Sequence, residues 1–130
     1  MPSIKRYQKV TDDFTTHEIT PPPEPGFVIE HATIEGWTYV AVEGELPEQS
    51  NAITVEDVEL TDALRDALRA ASPQIAAINR DVVSRIRQRY SVDDEIKALR
   101  LAPSDETAAW NDYVEECREW GEGRKMELGL

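Results

Sequence analysis

Near residue 61 the apolar positions of this chain change their period from about two to about 3.6. The first period fills one face of a strand and the second fills a helix stripe, so the chain reads as α+β, with its strands in front and its helices behind. The charge follows the same division. Residues 26 to 60 carry eight acidic side chains and no lysine or arginine.

The rear part, 61–130, is expected to form a module of three to four short helices, each with a start signal. Thr61 caps a helix whose stripe is Leu60, Ala63, Leu64, Ala67, Leu68 and Ala71. Ser72 followed by Pro73 opens a second through Ile75, Ile78, Val82 and Ile86, with Tyr90 near its end. Arg85, Arg87 and Arg89 lie where the dipole of that helix is negative, which favours a stabilised C-terminus over an anion site. Ser91 and Asp94 form a variant capping box for a short helix expected to bury Val92, Ile96 and Leu99, and Pro103 stops it. Ser104 caps the last helix. There Trp110, Tyr113, Val114, Cys117 and Trp120 share one face, and Gly121 and Gly123 are expected to loosen its end.

The front is harder to close into a domain. Residues 1–25 end in Pro21, Pro22, Pro23, Glu24 and Pro25, a run that favours polyproline geometry, and they read as an extended, proline-rich arm. Residues 26–60 read as an acidic β-hairpin region, with Val28, Ile29, Ile34, Trp37, Tyr39, Val40 and Val42 in strands and Glu35-Gly36 at the turn. A lone hairpin is marginal in water, so it is expected to pack on the helices or to add to strands of another chain.

Composition narrows the function. The 26 acidic against 14 basic residues, a net charge of −12, oppose binding to nucleic acid and to anionic membrane surfaces. No apolar run approaches the roughly 20 residues of a membrane span, and MPSIKRYQKV lacks the apolar stretch of a signal peptide. One cysteine makes neither an internal disulfide nor a thiolate cluster. His17 and His31 lack metal-ligand spacing and read as surface residues, and Asp93-Asp94 and Glu115-Glu116 point in different directions on their helices. No nucleophile sits beside an evident base and no glycine-rich phosphate loop follows a strand, so no catalytic, cofactor-binding or metal residue is expected and the chain is not read as an enzyme. What remains is recognition. Trp37, Tyr39, Trp110, Tyr113 and Trp120 are the candidate partner-interface residues, and each has an alternative use as core.

The segments IRQRYSVDDEIKALR, WNDYVEECREWG and KMELGL, within residues 60 to 130, resemble the C-terminal region of small proteins encoded near tail and tail-fibre genes of tailed bacteriophages. The resemblance implies a structural protein acting by protein-protein assembly, in the virion tail at the baseplate, tip or fibre. It implies synthesis in the bacterial host cytoplasm and, as partners, other phage tail proteins or further copies of itself as a homo-oligomer. It brings no catalytic residues. A non-virion tail or tail-fibre assembly chaperone is the alternative, and an acidic inhibitor of a host protein is a third reading.

Overall fold

The computed structural model describes residues 2–101 and 103–130. They fall into two compact units, Met1–Ala76 with Met126–Leu130, and Ala77–Lys125. In chain order the elements are β1 (Ser3–Tyr7), β2 (Val10–Thr11), β3 (Thr16–His17), β4 (Phe27–Ile34), β5 (Trp37–Glu43), β6 (Glu56–Asp57), α1 (Asp62–Ala71), α2 (Pro73–Arg89), α3 (Val92–Arg100) and α4 (Asp105–Glu127). The fold is α+β.

The first unit is built on an antiparallel sheet in the order β4-β5-β1-β6, with β2 and β3 forming a small separate ladder. The β4-β5 hairpin turns at Glu35 and Gly36 as its sequence suggests. Both residues have positive φ, 52° and 83°, which a two-residue turn matched to the strand twist requires.

Residues 3–7 correct the expectation of an arm. They form β1, which lies inside the sheet between β5 and β6 and supplies the third strand that the hairpin lacked. The pairing also has an electrostatic cause. Lys5 meets Asp57 and Arg6 meets Glu56 across the β1-β6 ladder, so cations from the front of the chain offset part of the acidic segment. The proline run beyond it holds neither strand nor helix.

Both faces of the sheet are covered, which is why Thr38, Tyr39, Val40, Ala41 and Val42 are all buried along β5. On one face Tyr7, Val40, Val42 and Ile53 form a core, with Ile19, Val28, Leu46 and Val55 packed around it. The register puts Ile4, Tyr39 and Ala41 on the opposite face, where α1 packs against β4 and buries Leu68.

His31 is corrected too, because it is not a surface residue. A register shift between Glu30 and Ala32 leaves it as the extra residue of a β-bulge, and only 1% of it is exposed. Its Nε2 donates to the Leu128 carbonyl at 2.8 Å, which leaves Nδ1 to accept from the Ser72 hydroxyl at 2.7 Å. Both ring nitrogens are satisfied by the neutral form, and burial holds the pKa of the imidazole below its ordinary value.

The second unit holds the remainder of α2, all of α3 and most of α4. Its core is Ile86 of α2 with Val114 and Cys117 of α4, flanked by Val82, Trp110 and Tyr113. Helix α4 is longer than expected. It continues unbroken through Gly121 and Gly123 to Glu127, and Gly121 is a buried point of close approach rather than a loosened end. A Cβ on Gly121 would lie 2.5 Å from a methyl of Val82, so the missing side chain lets α2 and α4 come together there.

Candidate interaction surface

The aromatic side chains of α4 divide between packing and partial exposure. Val114 and Cys117 are buried, while Trp110, Tyr113 and Trp120 remain half-buried at the margin of the helix pair. Tyr113 donates its hydroxyl to the Arg85 carbonyl at 2.8 Å and meets Tyr90 with ring centres 5.8 Å apart and planes tilted by 55°. Desolvation first, and then the Cys117 thiol, raise the pKa of the Tyr113 phenol, so this ring is neutral near pH 7.

The arginines of α2 lie against these rings. The Arg85 guanidinium sits 3.6 Å from the centre of the Trp120 ring, and that of Arg89 4.8 Å from Tyr113. Arg87 turns instead to Glu95 of α3. The three cations expected merely to settle a helix end therefore each bind a specific neighbour. The rings of the first unit are occupied in the same manner. Tyr39 is buried, and Trp37 is half-buried beneath Arg6, whose guanidinium lies 4.0 Å from its ring centre.

Of the five expected interface residues, Tyr39 is thus enclosed in the sheet, Trp37, Tyr113 and Trp120 are half-buried with an arginine against each ring, and Trp110 is half-buried against the helical core. Trp110 is the least satisfied. Its indole Nε1 is buried without a hydrogen-bond partner.

A run of exposed apolar side chains lies elsewhere, on α3, and here the sequence reading is overturned. Val92, Ile96 and Leu99 were expected to be buried, yet they are 54%, 42% and 75% exposed, and α3 contains no buried residue. The helix is well formed without a core contact. Ser91 accepts from the Asp94 amide at 3.1 Å while the Asp94 carboxylate accepts from the Ser91 amide at 2.9 Å, a reciprocal cap that also lowers the pKa of Asp94. The Arg87-Glu95 ion pair ties α3 to the end of α2 along one flank of the stripe, since Glu95 lies three residues after Val92 and four before Leu99. Leu101, just past the helix, is a further exposed apolar side chain.

Between α3 and α4 lies an open groove of about 340 Å³, with Arg89, Lys97, Asp94 and Glu106 among its lining residues. Cations and anions line it together, so it has no net preference for one charge. Among the described residues no group of three or more His, Cys, Asp or Glu side chains is placed to hold a metal ion, and no helix is long and apolar enough to cross a membrane. Phe14, at 97% exposure, stands apart in the first unit, and a single exposed ring requires no partner.

The α3 stripe was legible as amphipathic, and its exposure was not. Periodicity reveals that a helix has an apolar face but is silent on what covers it. Comparison with protein-family models, characterised proteins and solved structures finds no match to the chain.

Proposed function

We propose that this chain is a non-catalytic structural component of a bacteriophage tail, acting through protein-protein assembly at the baseplate, tip or fibre. The observation that carries the assembly part is the exposed stripe of α3, where three large aliphatic side chains lie along one side of a short helix. Such a stripe, left in water, forgoes the roughly 25 cal/mol per Å² that burial returns, and a partner that covers it recovers this. The assignment to a tail rests on the resemblance of residues 60 to 130 to tail-region proteins.

The fold bears on how the chain would assemble. With β1 inside the sheet, the front of the molecule is committed to its own core, and the contacts offered to neighbours come from the helical part. An assembly chaperone would use the same stripe, covering a tail or fibre protein and then leaving it. The two readings separate on where the protein ends up. Quantitative mass spectrometry of gradient-purified particles, with crude lysate as control, is expected to find the chain at a fixed ratio to a tail protein. Abundance in lysate with absence from particles would reject the structural-component reading and favour a chaperone or a host-directed factor.

A further inference from the structure

We propose that α3 mediates a twofold self-association in which two copies of this chain lay their α3 helices antiparallel, face to face. The inference rests on the assembly reading above and adds to it the occupant of the exposed stripe.

The stripe is symmetric about its middle. Val92, Ile96 and Leu99 occupy one side of α3, so reversing the helix sets Val92 opposite Leu99 of the second copy and Ile96 opposite its own counterpart. This is the self-complementarity that a twofold interface demands, one patch serving both subunits.

Charge selects the same arrangement. Asp93 lies in the first turn and Arg100 in the last, and neither has an ion-pair partner among the described residues. At about 100° per residue both project from the same flank of the stripe. A twofold axis perpendicular to the two helices keeps that flank and exchanges the ends, so Asp93 of each copy meets Arg100 of the other. A parallel pair would bring neither combination together. The neighbouring carboxylates do not compete, because Asp94 is engaged in the cap and Glu95 with Arg87.

The interface is small. A helix of nine residues is about 13.5 Å long, and its stripe falls well short of the roughly 1,200 Å² of a standard stable interface. The net charge of −12 opposes self-association further. The dimer is therefore weak and concentration-dependent, strengthened where neighbouring subunits hold many copies side by side.

Sedimentation velocity on the full chain over a wide concentration range tests this, with circular dichroism to confirm that each variant is folded. A monomer-dimer equilibrium is expected. Leu99→Asp should weaken it more than roughly tenfold, since a charge replaces a buried side chain at the seam. Asp93→Arg and Arg100→Asp should each weaken it by roughly threefold or more, and the double exchange should restore it, because the pair is then merely reversed. A chain that stays monomeric throughout, a dimer indifferent to Leu99→Asp, or a double exchange that fails to restore pairing would each overturn the proposal. A monomeric chain that Leu99→Asp nonetheless excludes from particles would reject self-pairing while leaving the assembly reading intact. A dimer behaving as described, from a chain absent from particles, would reject the tail-component reading and support this one.

Discussion

The Arg85 guanidinium lies 3.6 Å from the centre of the Trp120 ring, so a residue of α2 covers the outer side of the largest aromatic near the end of α4. The contact makes Trp120 part of the second unit's own packing although it is only half-buried. Trp120→Ala is expected to cost about 1.5–3 kcal/mol, less than the full loss of a core tryptophan. Arg85→Ala should cost about 0.5–1 kcal/mol through the lost ring contact. Chemical denaturation of the two single variants and the double variant checks this. If the effects of the pair simply add, the contact contributes nothing.

Gly121 and Gly123 lie in the same helix and are expected to respond oppositely to alanine. At Gly121 the new Cβ would meet a Val82 methyl at 2.5 Å, and valine is held to one rotamer in a helix, so Gly121→Ala should destabilise by about 1–3 kcal/mol. Pairing it with Val82→Ala should recover much of that. Nothing lies within 4 Å of a Cβ at Gly123, so Gly123→Ala should stabilise by up to about 1 kcal/mol. Equal responses at the two positions in thermal unfolding would contradict the close approach of α2 and α4.

Stability should also carry a histidine signature. Burial holds His31 below its ordinary pKa of 6.5, outweighing the hydrogen bond to Leu128 that pulls the other way. The unfolded chain therefore takes up a proton near pH 6.5 that the folded chain refuses. The stabilisation is fully present above that pH and is progressively lost as the pH falls below it. Between about pH 7 and 5, where carboxylates titrate little, the unfolding free energy should decline. His31→Leu should flatten this slope and lower stability at neutral pH by about 1–3 kcal/mol, since Ser72 and Leu128 lose their partner. An unchanged slope would place the titrating group elsewhere.

Substitutions on the α3 stripe should separate folding from assembly. Leu99 is 75% exposed, so Leu99→Asp should alter the unfolding free energy by no more than about 0.5 kcal/mol. A large loss of stability would show that α3 is packed within the monomer and would remove it as a docking surface.

The helical part was readable because its signals are local. Thr61 and Ser91 cap the helices they were expected to cap, and the turn at Glu35-Gly36 follows from the dipeptide itself. Features that depend on distant residues were not. Ser3–Tyr7 is short and precedes a proline run, so nothing nearby reveals that its partners are β5 and β6. His31 is buried because a bulge and the distant residues Ser72 and Leu128 enclose it. Gly121 read as loosening the end of its helix because its close neighbour, Val82, lies on another helix. The exposed stripe of α3 was missed for the same reason, since burial belongs to the neighbours of a residue and not to its spacing.

In the proposed role, the α3 stripe carries this chain into a phage tail. Mass spectrometry of purified particles made with the unaltered chain and with Leu99→Asp tests it most directly. The unaltered chain is expected in particles at a fixed ratio to a tail protein, and the variant is expected folded in the lysate but depleted from particles. Absence of the unaltered chain from particles, or incorporation of the variant at the same ratio, would contradict it.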